Sequence, residues 1–193
     1  TTRNRLSATA TVTLTGRSFT GLDGTAGLRV TDTRWTPLRI PEMTMTTTWR
    51  EGLADVDLRG TLNDAQVDVT GQTRPLAEAP DATLTARVQA LNVAAFAPDA
   101  GIESRLAATT QVDARALGTE TQEIDVSLTL DSSRVGVQRI DGGQAALGLG
   151  PERATFDGTL ALPVGRVQAA GFAAMDGSEQ FALESARLDS FNV

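Results

Sequence analysis

The sequence predicts an all-β fold made of two tandem repeats. Three observations carry this expectation: segments recur at a spacing of 100 residues, apolar and polar residues alternate strictly over long runs, and helical periodicity is almost absent. Arg5-Leu6-Ser7-Ala8-Thr9-Ala10-Thr11-Val12 returns as Arg105-Leu106-Ala107-Ala108-Thr109-Thr110-Gln111-Val112, and Ala86 to Val93 returns as Ala186 to Val193. Leu28, Arg34, Arg39 and Ile40 meet Leu128, Arg134, Arg139 and Ile140 at the same spacing. Gly60-Thr61-Leu62 meets Gly158-Thr159-Leu160 at 98, which reads as a two-residue insertion in the second copy around Ala161 to Gly165. The copies divide the chain into residues 1–93 and 94–193, with one continuous sheet expected through both. The last residue, Val193, falls where the first copy runs on into Ala94-Ala95-Phe96, so the chain reads as part of a longer array.

Taken in order, Leu6, Ala8, Ala10, Val12 and Leu14 alternate with Ser7, Thr9, Thr11, Thr13 and Thr15, the period of a half-buried strand. Asp23-Gly24 signals a turn. Val56, Leu58, Gly60 and Leu62 then alternate with Asp55, Asp57, Arg59 and Thr61. A short helical stretch fits only near residues 92–100, and Pro98 stops it from continuing. In the second copy, Ile124, Val126, Leu128 and Leu130 oppose Asp125, Ser127 and Thr129. Asp141-Gly142-Gly143 signals a turn, Phe156, Gly158, Leu160 and Leu162 oppose Asp157, Thr159 and Ala161, and Asp176-Gly177 signals another turn. Gly60 and Gly158, inside strands, predict bulges or close backbone approach. Six or seven strands per copy are expected.

Composition narrows the function. The chain has 193 residues, is 40% hydrophobic and carries a formal charge of −7; all 17 basic residues are arginine. It can bury a sizeable apolar surface, and no concentrated basic footprint of the kind nucleic acid requires is present. Cysteine and histidine are absent, which removes thiolate nucleophiles, disulfides, the usual zinc ligands and the commonest proton-transfer side chain. No enzyme, cofactor or nucleic-acid partner is therefore expected. The longest apolar patches, at residues 93–97 and 145–149, fall far short of the roughly 20 residues of a membrane helix.

Polar candidates are read as solvated or structural. Asp55, Asp57, Asp64 and Asp68 match no calcium-loop pattern, and Asp125, Asp131, Glu152 and Asp157 are pairs any acidic chain offers. Trp35 and Trp49 are read as core or edge filler. Arg5/Arg105, Arg34/Arg134 and Arg87/Arg187 are read as cross-strand partners of acids, with lipid phosphate as the alternative. The apolar stripe is the leading functional candidate. In a sandwich a second sheet covers such a face; in an open curved sheet it becomes a groove.

The segment from Ile124 to Val137, an alternating strand leading through a serine turn to a short strand, resembles repeats of the TamB family and its AsmA-like relatives. Phe156-Asp157-Gly158-Thr159-Leu160 resembles their later strand, and Leu91-Asn92-Val93-Ala94-Ala95-Phe96-Ala97-Pro98 their linking element. That resemblance implies a β-taco, a long curved antiparallel sheet with an aliphatic concave groove. It implies a periplasmic protein of a diderm bacterium, its parent chain anchored in the inner membrane and meeting an outer-membrane Omp85-type assembly protein. Phospholipid acyl chains would pass along the groove. The lining candidates are Leu6, Val12, Leu14, Leu58, Leu62, Leu106, Val112, Val126, Leu128, Phe156, Leu160 and Leu162, with Ala8, Ala10, Ala108 and Ala174 leaving room. The alternative is a tandem pair of Ig-like or surface-layer sandwich domains acting as an envelope or adhesin module.

Overall fold

The computed structural model describes residues 5–18, 21–35, 38–96, 102–175 and 180–189, apart from the side chain of Trp35. They form one antiparallel sheet of 14 strands, elongated and curved, which does not close into a barrel. The first copy supplies β1 (Ala8–Thr15), β2 (Asp23–Trp35), β3 (Leu38–Arg50), β4 (Leu53–Leu62), β5 (Ala65–Thr73) and β6 (Ala82–Leu91). The second supplies β7 (Ser104–Arg115), β8 (Glu123–Leu130), β9 (Ser133–Val135), β10 (Gln138–Ile140), β11 (Gly142–Leu149), β12 (Arg153–Leu162), β13 (Gly165–Ala174) and β14 (Phe181–Asp189). The path is a meander, β1 through β8 and then β11 through β14, while the short β9–β10 hairpin lies beside β7. Alternation with period two produces this, because each strand can then turn all its apolar residues to the same side.

The copies join without interruption. β6 pairs with β7 from Ala82↔Ala114 to Val88↔Ala108, so the sheet runs through the repeat boundary. Between these strands lies a 3-10 turn, Val93–Ala95, capped by the Asn92 side chain, which accepts a hydrogen bond from the Ala94 N–H. Of the helical stretch expected near residues 92–100, the described part forms this turn; residues 97–100, Pro98 among them, lie outside the described residues.

The structure corrects the expected insertion. Gly60 pairs with Val67 and Leu160 pairs with Val167, so the spacing of 100 holds straight through the β4–β5 and β12–β13 hairpins. The Gly60-Thr61-Leu62 likeness at 98 preserves strand phase only because 98 is even. Gly158 therefore takes the place of Leu58, not of Gly60. Their surroundings agree: a Cβ on Gly60 would lie 2.6 Å from the Glu42 carbonyl oxygen, whereas on Gly158 it would meet nothing closer than 3.7 Å. Close approach occurs at Gly60 and does not occur at Gly158.

Other equivalences follow the same spacing. β2 corresponds to β8 with β9, and β3 to β10 with β11: Thr33↔Ile40 and Arg34↔Arg39 recur as Ser133↔Ile140 and Arg134↔Arg139. A buried hydroxyl marks the same place in each copy. Thr33 Oγ1 accepts from the Ser7 N–H and donates to the Thr31 carbonyl; Ser133 Oγ accepts from the Ala107 N–H and donates to the Asp131 carbonyl. Two turn signals were misplaced. Asp23 and Gly24 begin β2, and Gly142 and Gly143 begin β11, leaving only Asp141 in a connection. Asp176-Gly177 lies outside the described residues.

Among the described residues nothing covers the sheet as a second layer. The exposed area is 12877 Å², against about 8,800 Å² for a compact monomer of this mass. Among the described residues the buried hydrophobics are Ala54, Ala65, Ala114 and Ile140, and no large side chain is fully buried. Two compact sandwiches would bury rows of Leu, Val and Phe between paired sheets. The tandem-sandwich alternative is thereby excluded.

Candidate functional site

Register assembles one apolar face from the whole chain. Successive pairings carry a single row through Ala8, Val30, Met43, Gly60, Val67 and Val88, and onward through Ala108, Leu130, Gly143, Leu160, Val167 and Leu188. With 12 strands on the path and about 4.8 Å between neighbours, this row is about 53 Å long. The next row towards the other strand ends begins Ala10, Leu28, Met45, Leu58 and Val69, and ends Leu128, Ala145, Gly158, Ala169 and Ala186. The opposite face carries Thr, Asp, Arg and Gln in the alternate positions, such as Thr44↔Arg59 and Arg59↔Asp68.

All twelve lining candidates lie on this apolar face. Leu6, Val12 and Leu14 are exposed at the β1 edge. Leu58, Leu62, Leu106, Val112, Val126, Leu128, Phe156, Leu160 and Leu162 are half-buried. Ala8, Ala10 and Ala108 share the face, but Ala174 does not. It pairs with Arg153, one residue out of phase with Ala173, and so belongs to the polar side. Sequence reading passed over Met43, Met45, Leu147 and Leu188, whose place on the face depends on which residue stands across the strand gap.

The face is not uniform. In the second copy it opens into a hollow of about 530 Å³, lined by Leu128, Leu130, Leu147, Phe156, Leu160 and Val167 among others. The copies explain why. Where the first has Met43, Met45, Leu58 and Val69, the second has Gly143, Ala145, Gly158 and Ala169. Four small residues on adjacent strands lower the floor, and the leucines around them form the walls. At one end Phe156 stacks on Phe181, with ring centroids 6.3 Å apart and planes 7° from parallel.

The polar face is laced with exposed ion pairs, including Arg29–Glu42 at 2.6 Å, Arg59–Asp57 at 2.8 Å and Arg115–Asp113 at 3.0 Å. Exposed pairs of this kind contribute about 0–1 kcal/mol each, so they do little to hold the sheet. Asp55 accepts from the Gln72 side chain, and Asp57 and Asp68 both face Arg59. Asp125 and Asp157 border a separate hollow of about 690 Å³ on this side. Among the described residues no three acidic side chains converge as a metal site would need. Trp49 is half-buried on the apolar face between Gly24 and Ala54, and the Trp35 side chain lies outside the described residues.

The arginine expectation divides. Arg5 and Arg34 both meet Asp32, and Arg187 meets Asp189 on its own strand. Among the described residues Arg87, opposite Asp68 in register, forms no ion pair, and neither do Arg105 and Arg134. Among the described residues no helix is long and apolar enough to cross a membrane. No family model, curated protein or solved structure matches the chain.

Proposed function

We propose that the apolar face binds the acyl chains of phospholipids and that the chain is a conduit segment of the TamB/AsmA-like type, working in the periplasm of a diderm bacterium. One observation carries this reading. A single aliphatic face runs across 12 strands with no second layer over it among the described residues, and in the second copy it deepens into a hollow with almost entirely apolar walls. Each methylene withdrawn from water there contributes about 0.8 kcal/mol, a non-directional gain that lets a chain occupy many positions along the row. Half-buried side chains suit this role, because they keep apolar area available for a ligand while still packing against strand neighbours. On this reading the chain is a binding element, not an enzyme, and the parent protein would reach an outer-membrane Omp85-type partner.

The experiment is mass spectrometry of lipids extracted from the purified chain, together with titration of a fluorescent diacyl phospholipid. Bound phospholipid is expected in the wild type. Ala145→Met combined with Gly158→Leu installs the first copy's residues in the second and fills the hollow, so probe binding should fall severalfold while the far-UV spectrum stays that of a sheet. Leu128→Asp and Leu160→Asp should likewise reduce binding while the sheet persists. A chain free of lipid that does not take up the probe would overturn the proposal in favour of an envelope spacer.

A further inference from the structure

A row of three arginines stands on the polar face of the second copy. Arg105 on β7 pairs in register with Arg134 on β9, and Arg134 pairs with Arg139 on β10. Like charges directly opposite one another repel. The row nevertheless occurs twice, since Arg5 faces Arg34 and Arg34 faces Arg39 in the first copy.

In the first copy a carboxylate relieves the repulsion. Asp32, whose φ is 42°, lies 3.0 Å from Arg5 and 3.8 Å from Arg34. The second copy has Ser132 in that place. There Asp141 holds Arg139 at 2.8 Å, while Arg105 and Arg134 have no ion pair among the described residues. All three arginines and Ser132 line one hollow of about 990 Å³; Asp64 also borders it and has no ion pair among the described residues.

We propose that this hollow binds a phosphate-class oxyanion, which bridges Arg105 and Arg134 as Asp32 bridges Arg5 and Arg34. Two guanidinium forks on neighbouring strands match a group with several charged oxygens, and the Ser132 hydroxyl supplies a further donor. The hollow also has room for the molecule that bears the phosphate. This site lies on the face opposite the acyl hollow and stands whether or not acyl chains bind there.

The test is ³¹P NMR titration of the purified chain with inorganic phosphate, and in parallel with dihexanoyl phosphatidic acid below its micelle concentration. Phosphate should bind the wild type at one site. Ser132→Asp supplies the first copy's carboxylate and should weaken binding about tenfold or more, with circular dichroism unchanged. Asp32→Asn, which keeps a residue tolerant of positive φ, should open a second site and raise the stoichiometry to two. Binding of both probes assigns the site to lipid headgroups, and binding of phosphate alone assigns it to soluble phosphorylated molecules. No phosphate binding, an affinity that Ser132→Asp leaves unchanged, or a stoichiometry that stays at one in Asp32→Asn would overturn the proposal.

Discussion

Phe156 and Phe181 lie with their rings parallel and offset, although a whole strand, β13, runs between their own. Gly171 makes this possible. A Cβ there would lie 2.8 Å from two atoms of the Phe156 ring and would also meet the Ala182 carbonyl oxygen, so only a residue without a side chain lets the ring cross β13. Gly171→Ala should therefore destabilise the sheet by about 2 kcal/mol, read from urea denaturation. Gly158→Ala, on the same face, where a Cβ would make only ordinary van der Waals contacts at 3.7 Å or more, should change stability by less than about 0.5 kcal/mol. Equal effects would show that the two glycines are not distinguished by packing.

The buried hydroxyls of Thr33 and Ser133 each satisfy a backbone N–H from the preceding paired segment. Ser133→Ala leaves the Ala107 N–H without its partner in a site that is 6% exposed, and a loss of about 1–3 kcal/mol is expected. Thr33→Val should cost a similar amount. Because the two lie in different copies and share no partner, the double variant should show the sum of the single losses.

Continuity across the β6–β7 seam couples the repeats. Leu84↔Val112 and Ala86↔Thr110 extend the apolar rows from one copy to the next, so neither copy has a boundary at which to unfold alone. Calorimetry should show a single cooperative transition. Two separate transitions, each with half the enthalpy, would mean that the seam adds little and that the copies behave as beads.

The outer strands are exposed along their length, β1 in all eight of its residues. An unpaired edge with apolar alternation invites pairing with another chain. Self-association that rises with protein concentration is expected in sedimentation velocity. Thr13→Lys, which puts charge on this edge without touching the apolar face, should shift the distribution towards monomer.

Strand phase was readable from local pattern. Apart from Leu6 and Ser7, which precede β1, the alternating runs lie in strands with their apolar side as expected, from Ala8–Thr15 through Arg153–Leu162. The errors arose where a local likeness was weighed without its cross-strand neighbour. Gly158 resembled Gly60 by its flanking Thr and Leu, but its partner Ala145 places it at the position of Leu58. Ala174 looked like a small lining residue, and only its pairing with Arg153 puts it on the other side. The arginine row was invisible for the same reason, since Arg105 and Arg134 are 29 residues apart in sequence and adjacent only in register.

Taken alone, the sequence determined that this protein is made of strands, that each has one greasy side, and that the unit recurs after 100 residues. Alternation and repetition are properties of neighbouring residues, and steric rules convert them directly into strand and phase. Only the tertiary structure decided that, among the described residues, no second sheet closes over the greasy side, the second copy hollows out where the first carries larger side chains, and a pair of arginines without an acidic partner faces the hollow on the other side. Each of these depends on which residues meet across a gap between strands. Hydrogen-bond register sets that meeting, and no spacing along one strand contains it.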